Sequence, residues 1–332
     1  MAKTWRDSEV SLDPIKNQVM AILGYGIQGS AQSNNLKDSG LNVIVGLQEG
    51  GESWKKAKED GHQVMTISKA CESADITHVL IPDMVQARVY REQIASHLKA
   101  GKTLSFSHGA AIYWKWIKAP SDIDIIMIAP KGPGSKVRET YQQGFGTPSI
   151  VAVYQDYTKT AWDKTLAIAK GIGSTRAGVI ETTFQEEVET DWFGEQVDLC
   201  GGSASMIINA FETLVEAGYQ PEIAYFEVLH ELKLIVDLIQ RYGIAGMYRR
   251  VSETARYGGL TRGPMVMNKE VKEKMKKILT TIKDGTFNEE WVSDYQKNGK
   301  NAFDRYMKQL EAHQVEQVGK KMRQMMWPDS KE

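Results

Sequence analysis

Four carboxylates in the second half of the chain have the types and spacing of metal ligands. Asp191 and Glu195 are four residues apart, and so are Glu227 and Glu231. Residues four apart share one face of a helix, and Mg²⁺ prefers carboxylate oxygens. Residues 225–236 are apolar nearly all round, which predicts a buried helix. Because two buried carboxylates cannot both stay ionised without a positive partner, the pattern predicts a site for hard divalent cations.

Two other interpretations of these acidic pairs stay open. Asp191 and Glu195 are equally compatible with a solvated helix face, and Lys233 or Arg241 can neutralise the second pair as structural salt bridges. Read as a helix, residues 186–196 place Glu187, Asp191 and Glu195 on one acidic stripe, which Asp198 continues beyond that range.

A glycine-rich motif near the N-terminus predicts a dinucleotide-binding site. It consists of Gly24, Tyr25, Gly26, Ile27, Gln28 and Gly29. It follows an apolar strand at 18–23, and a helix at about 30–37 and a strand at 41–45 come after it. Glycines let the backbone approach a pyrophosphate, and the helix N-terminus supplies free N–H groups. A tight turn in an unrelated α/β domain is the alternative.

The loop at residues 46–54 follows the second strand, where such folds contact the adenosine ribose. It contains Glu49, Glu52 and the hydroxyl of Ser53, with no cation before Lys55. A ribose hydroxyl can donate to a carboxylate, whereas a 2′-phosphate is repelled by it. The loop therefore favours NADH over NADPH, although both glutamates can also simply face water.

Strands are predicted at 76–81, 103–107 and 124–128, and two further candidates follow them. They are His108 after the second strand and Lys131 after the third. Ligands of open α/β sheets bind outside the carboxyl ends of the strands. A capping histidine and an ordinary exposed lysine are the alternatives.

Composition indicates an ordinary globular protein, expected to be cytoplasmic. The 332 residues have a formal net charge of -1, with 25% charged and 42% hydrophobic residues. This balance gives no reason to expect nucleic acid or a membrane surface as a partner. Two scattered cysteines, Cys71 and Cys200, are too few for a disulfide framework.

The pattern changes near residue 182, from alternating strands and helices to long helices. We therefore predict an α/β dinucleotide-binding domain at 1–181 and an all-α domain at 182–332. The predicted helices of the second domain include 271–282 and a terminal helix from about 302 to 326.

Together these segments resemble the ketol-acid reductoisomerase (acetohydroxy acid isomeroreductase) family in its short, class I form. The matching segments are 24–29, 82–87, 108–109, 129–134, 189–196, 211–225, 229–233, 252–255 and 260–264. The resemblance implies a Rossmann domain, a knotted all-α domain, and a homodimer or larger homo-oligomer with shared active sites.

The resemblance also implies roles for individual residues. The ligands of two Mg²⁺ ions are Asp191, Glu195, Glu227 and Glu231. Lys131 lies beside the metals, His108 is the active-site histidine, and Ser252 holds the substrate carboxylate. Glu227, Glu231 and Ser252 reach the site from the partner subunit. The cofactor positions are 24–29, Gln48, Gly51, Ser53, 83–86 and Gly134.

The implied reaction is magnesium-dependent alkyl migration of 2-acetolactate or 2-aceto-2-hydroxybutyrate, followed by reduction with NAD(P)H, in valine and isoleucine biosynthesis. Glu231 is our candidate for proton transfer. Members that use NADPH commonly have Arg and Ser where this chain has Gln48 and Gly51, which again favours NADH while leaving NADPH possible. The family usually has Phe-Asn and His at the positions of Ala110, Ala111 and Ser135.

Two alternative functions are kept. A metal-independent hydroxyacid or imine dehydrogenase would use His108 or Lys131 alone and leave the four carboxylates unexplained. A catalytically silent nucleotide sensor would bind the dinucleotide without turnover.

Overall fold

The computed structural model describes residues 2–328, and only the backbone of residue 300. The chain divides into two compact units, and the boundary falls between Thr190 and Asp191. The change of pattern in the sequence predicts the boundary slightly earlier, between residues 181 and 182. No helix in the described range is long and apolar enough to cross a membrane.

The first unit is built on one mixed sheet of nine strands. In chain order they are β1 (Thr4–Trp5), β2 (Val19–Leu23), β3 (Asn42–Leu47), β4 (Gln63–Thr66), β5 (Ile76–Val79), β6 (Thr103–Phe106), β7 (Asp124–Pro130), β8 (Ser149–Gln155) and β9 (Val179–Glu181). The spatial order is β1-β9-β8-β7-β6-β5-β2-β3-β4. Strands β2 to β7 are parallel, whereas β8 is antiparallel to β7.

The six parallel strands have the order of a doubly wound dinucleotide-binding sheet, which confirms the predicted Rossmann architecture. Strands β2 and β5 are parallel neighbours although β3 and β4 separate them in sequence, so the order in which the chain adds strands reverses between them. Gly24 directly follows β2 at this switch point. Strands β2, β5 and β6 are buried almost throughout, as expected for parallel strands covered on both faces.

The helices of the first unit pack on both faces of this sheet. They are α1 (Ile27–Asp38), α2 (Glu52–Glu59), α3 (Ile67–Ser73), α4 (Asp83–Val89), α5 (Ala110–Tyr113), α6 (Gly134–Gln142), α7 (Ala161–Gly171), α8 (Ser174–Ala177) and the first part of α9 (Phe184–Gly194), whose last four residues belong to the second unit. Helix α1 begins three residues before the predicted start at residue 30, inside the glycine motif. A π-helical turn, Tyr90–Ile94, continues α4.

The second unit contains only helices among its described residues, as predicted. They are α10 (Gly201–Glu216), α11 (Pro221–Tyr225), α12 (Glu231–Tyr248), α13 (Glu253–Val266), α14 (Lys269–Lys283), α15 (Thr286–Asn298), α16 (Asp304–Glu311) and α17 (Gln314–Met326). The prediction of one helix from 302 to 326 is wrong. The helix is interrupted after Glu311 because His313 caps α17. The Nδ1 atom of His313 accepts a hydrogen bond from the Val315 N–H at 3.2 Å.

The predicted burial of residues 225–236 is confirmed at Tyr225 but is wrong for the rest of the segment in the single chain. Leu234 is 52% exposed and Val236 49% exposed. The local core gathers instead around Phe211 and Tyr225, where α10, α11 and α17 pack together. Most of α12 therefore has no covering layer among the described residues of its own unit, and only Gly246 and Met247 of this helix are buried.

Candidate active site

The three glycines of the nucleotide motif differ in what surrounds them. A Cβ on Gly24 would lie 2.6 Å from the Leu80 carbonyl oxygen, and Gly24 has a φ of +103°. A Cβ on Gly29 would lie 2.2 Å from the Gly24 carbonyl oxygen, so the start of α1 packs directly on the end of β2. Gly26 has no atom within 4 Å of an added Cβ. Gly24 and Gly29 therefore shape the loop, and Gly26 leaves the open face that a pyrophosphate needs.

Tyr25 and Gln28 of the motif anchor this loop. The Tyr25 hydroxyl donates to Asp60 Oδ2 at 2.6 Å and accepts from Asn34 Nδ2 at 3.0 Å. Burial, together with the Asp60 carboxylate, raises the pKa of Tyr25, so this hydroxyl stays protonated. Gln28 Nε2 donates to the Gly132 carbonyl at 3.0 Å. The loop after β7 is thereby fixed to the glycine motif.

Gly134 brings these two loops into direct contact. A Cβ on Gly134 would lie 2.2 Å from the Ile27 carbonyl oxygen. The N-termini of α1 and α6 therefore meet, and both present backbone N–H groups to the same edge of the sheet.

The loop after β3 is open to solvent. Gln48, Gly51 and Ser53 are exposed, and Gly51 is the N-cap of α2. A Cβ on Gly51 would contact only the Gln48 carbonyl oxygen, at 3.7 Å. The absence of a side chain at this position is therefore not required by packing.

Residues 83–86 form the first turn of α4, at the carboxyl end of β5. Gln86 is buried, and its Nε2 donates to the Ile81 carbonyl at 3.0 Å and to Asp83 Oδ1 at 2.9 Å. Met84 and Val85 are half-buried beside them.

His108 and Lys131 meet at a buried carboxylate, Glu187. Glu187 is 1% exposed, and its carboxylate lies 3.1 Å from His108 Nδ1 and 3.3 Å from Lys131 Nζ. The backbone N–H of Gly109 donates to Glu187 Oε2 at 2.9 Å. Burial alone would raise the pKa of Glu187, but the hydrogen bond from His108, the charges of His108 and Lys131 and the Gly109 N–H outweigh it, so its pKa is lowered.

Helix α9 delivers Glu187 to this position because it packs closely on the loop after β6. A Cβ on Gly109 would lie 3.0 Å from Val188 and 3.1 Å from Phe184. A second contact to α9 comes from the Tyr113 hydroxyl, which donates to Glu189 Oε1 at 2.7 Å. The site of His108 and Lys131 thus depends on a helix that begins after the last strand.

Glu187 is a site residue that the sequence pattern does not identify. Its place on the acidic stripe was the available signal, because it precedes Asp191 by one helical turn. Periodicity gave no indication that Glu187 alone would be buried against the sheet.

The predicted metal ligands lie at irregular points of two helical segments. Asp191 is in α9, and Glu195 begins a π-helical turn, Glu195–Leu199. Glu227 lies in another π-helical turn, Phe226–His230, and Glu231 is the first residue of α12. Within the described chain, π-helical turns thus occur at both carboxylate pairs, and such turns are frequent at functional sites.

The structure contradicts the salt-bridge interpretation of Glu227 and Glu231. Lys233 Nζ pairs with Asp237 at 2.5 Å, and the Arg241 guanidinium lies over the ring of Tyr242. Both glutamates are exposed, and in the part of the chain that the structure describes neither forms an ion pair or hydrogen bond. Exposed, unneutralised carboxylates are compatible with cation ligands.

Ser252 and the three positions that differ from the usual residues of the family occupy ordinary local environments. Ser252 caps α13, where its Oγ accepts from the Ala255 N–H at 3.2 Å. Ala110 and Ala111 are buried in α5, and Ser135 is exposed at the start of α6.

Comparison with known proteins covers almost the whole chain. Residues 14–178 match the profile described as "Acetohydroxy acid isomeroreductase, NADPH-binding domain", and residues 184–327 match "Ketol-acid reductoisomerase, C-terminal domain". A protein of Nitrosopumilus maritimus named ketol-acid reductoisomerase (NADP(+)) is 73% identical over 332 residues, which is 100% of both chains. One of the same name from Cenarchaeum symbiosum is 72% identical over the same length.

A solved structure is similar throughout. It is the structure of an NADH-preferring ketol-acid reductoisomerase from an uncultured archean. It shares 46% sequence identity with a TM-score of 0.94, covering 97% of this chain and 98% of the other. Because both halves match the family and full-length relatives share most residues, the chain is a member of the ketol-acid reductoisomerase family.

Proposed function

We propose that the chain converts 2-acetolactate or 2-aceto-2-hydroxybutyrate into the corresponding 2,3-dihydroxy acid, by alkyl migration followed by reduction with a nicotinamide cofactor. The reaction belongs to valine and isoleucine biosynthesis. The observation that carries this proposal is the arrangement of His108, Lys131 and Glu187 at the sheet edge that also bears the glycine motif. This arrangement supports a site in which groups that hold and transfer protons lie beside the hydride donor.

The donor set of the second unit fits magnesium. The carboxylates of Asp191, Glu195, Glu227 and Glu231 are hard oxygen ligands, and exposure of the last two leaves them available. When bound, two Mg²⁺ ions would supply Lewis acidity that makes the substrate hydroxyl acidic and the ketone electrophilic. We assign these four residues as the ligands.

The remaining roles concern protons and orientation. Glu231 takes the substrate hydroxyl proton, and the alkyl group then moves with its bonding electrons to the neighbouring carbonyl carbon. When bound, the nicotinamide cofactor would supply the hydride that reduces the new ketone, and the site would supply the accompanying proton. Glu187 keeps the His108 ring and the Lys131 ammonium in place, because it bonds to both. Ser252 holds the substrate carboxylate.

The cofactor contacts follow from the Rossmann half. Residues 24–29 and Gly134 hold the pyrophosphate, residues 83–86 line the cleft after β5, and the loop with Gln48, Gly51 and Ser53 contacts the adenosine ribose. That loop has no cation before Lys55, which supports a preference for NADH. The relatives from N. maritimus and C. symbiosum have NADP(+) in their names, whereas the solved structure is named as NADH-preferring.

A second copy of the chain is the proposed partner. Large apolar side chains of the second unit are exposed in the single chain, among them Leu234, Val236, Ile244, Tyr257 and Leu260. Large exposed apolar patches on soluble proteins often mark protein–protein contacts. A homodimer or larger homo-oligomer would cover α12 and α13 and would let Glu227, Glu231 and Ser252 serve a partner's site. A cytoplasmic location stays a prediction.

The deciding experiment is 2-acetolactate-dependent oxidation of NADH and, separately, of NADPH, with Mg²⁺ and with a chelator. Turnover that requires Mg²⁺ is expected, and turnover that survives chelation would favour the metal-independent dehydrogenase. Cofactor binding without any turnover would favour the nucleotide sensor.

A matched pair of variants tests the metal ligands. Glu231→Gln should abolish turnover while cofactor binding is retained. Glu222→Gln, an exposed glutamate of α11, should behave as the parent protein. Equal activities of the two variants would contradict the role of Glu231.

A further inference from the structure

A buried polar network connects the glycine motif to the segment that precedes His108. Its centre is Gln32 of α1, which is 0% exposed. Gln32 Nε2 donates to Gln28 Oε1 at 3.1 Å and to Ser107 Oγ at 3.0 Å. His78 of β5 and Ser105 of β6 complete the network, and both are also 0% exposed.

The hydrogen-bond directions in this network are determined by the Gln32 amide. Because Gln32 Nε2 uses both protons on Gln28 and Ser107, Gln32 Oε1 must be the acceptor for His78 Nε2, 3.0 Å away. His78 therefore carries its proton on Nε2, and its Nδ1 accepts from the Ser105 hydroxyl at 2.7 Å. Burial lowers the pKa of His78 to about 3, so the ring is neutral at physiological pH.

One proton of this network has no good acceptor among the described residues. The Ser107 hydroxyl accepts from Gln32, but its own proton has only Gln32 Oε1 within reach, at 3.4 Å. Hydroxyl hydrogen bonds are normally 2.5–3.0 Å long. His78 Nε2, also 3.4 Å away, cannot accept because it is protonated. Ser107 therefore has a donor to spare.

The position of Ser107 indicates which part of a bound dinucleotide lies near its hydroxyl. Ser107 follows the last residue of β6, at the carboxyl edge of the sheet, and is half-buried. A dinucleotide lies across the switch point between β2 and β5. Its adenosine half lies towards β3, so its nicotinamide half extends over β5 and β6, next to His108.

We propose that the Ser107 hydroxyl donates a hydrogen bond to the carboxamide of the nicotinamide ring, and that Gln32 is the positioning residue that orients it. This inference rests on the proposed function only in that the chain binds a nicotinamide dinucleotide. It assigns a binding contact to the nicotinamide half, which the glycine motif and the ribose loop do not provide.

The test compares two ligands that share the adenosine, the pyrophosphate and the second ribose and differ in the nicotinamide. The affinities of the full chain for NADH and for ADP-ribose, which lacks nicotinamide, are measured by calorimetry without Mg²⁺ or ketol acid. Ser107→Ala should lower the affinity for NADH about three- to tenfold, which corresponds to one neutral hydrogen bond. It should leave the affinity for ADP-ribose unchanged. Ser107→Cys, which keeps the side-chain size but is a weaker donor, should change NADH affinity in the same direction.

Ser149→Ala is the matched control, since it removes a buried strand hydroxyl that bonds to Ser174 and lies outside this network. It should leave the ratio of the two affinities unchanged. A parallel loss of NADH and ADP-ribose affinity in Ser107→Ala, or no loss of either, would overturn the proposed contact alone. Failure of the unsubstituted chain to bind either ligand would overturn the proposed function as well.

Discussion

The backbone N–H of Gly109 donates to the carboxylate of Glu187, across 78 residues of sequence, at 2.9 Å. The same carboxylate bonds to His108 and Lys131. One buried side chain on the helix after the sheet thus fixes the two candidate catalytic groups that follow β6 and β7.

Replacing this carboxylate should damage catalysis without removing any group that contacts substrate. We expect Glu187→Gln to lower kcat about 10- to 100-fold, the usual effect of losing a residue that orients a catalytic group. Steady-state kinetics at saturating cofactor would measure this. The exposed neighbour Glu186 provides the control, and equal kcat values for Glu186→Gln and Glu187→Gln would contradict the role.

The same pair predicts a pH dependence of stability. The pKa of Glu187 is lowered below its ordinary value of 4.5. The stabilisation from its ionised form is therefore complete above pH 4.5 and is lost as the pH falls through the lowered folded-state pKa. The difference in Tm between the parent and Glu187→Gln should be largest near neutral pH and shrink in acid. A difference that grows in acid would show that the carboxylate is not held ionised.

The glycine motif allows binding to be separated from folding. Gly26→Ala adds a methyl group where no atom lies within 4 Å, so Tm should be unchanged while NADH affinity falls at least tenfold. Gly29→Ala places its methyl group against the Gly24 carbonyl and should lower Tm instead. Thermal unfolding and NADH titration distinguish them, and equal Tm losses would refute the assignment.

Cofactor choice should be reversible at the loop after β3. Gly51 has a φ of -74° and open space for a side chain, so Ser fits without strain. Gln48→Arg with Gly51→Ser supplies a cation and a hydroxyl for a 2′-phosphate. The kcat/KM ratio for NADPH over NADH should rise at least tenfold. Gln63→Arg, an exposed position on β4, should leave the ratio unchanged, and an unchanged ratio in the double variant would contradict our interpretation of the loop.

The exposed face of α12 should carry the subunit contact. Val236→Asp places a charge on a side chain that is 49% exposed in the single chain, and a charge buried in an interface is costly. Analytical ultracentrifugation should show a shift towards monomers. Phe145→Asp, at a 59% exposed position of the first unit, serves as the comparison, and assembly that persists equally in both would exclude this face.

The sequence by itself determined the alternation of strands and helices, the position of the nucleotide loop and the acidic pairs. These are local properties, since hydrophobic period, glycine spacing and residue type depend on neighbours along the chain. It also indicated that His108 and Lys131 lie at strand ends, because parallel strands share one edge.

Only the tertiary structure decided which of the acidic residues is buried. Glu187 and Glu231 occupy similar helical patterns, but Glu187 packs on Gly109 whereas Glu231 is exposed. The apolar residues around Glu231 predicted burial, but Leu234 and Val236 are exposed among the described residues of this unit. Burial depends on what packs against a helix, and periodicity identifies an apolar face without identifying its partner. The same limit hid the Gln32 network, whose members are polar residues from α1, β5 and β6 that meet only in the folded sheet.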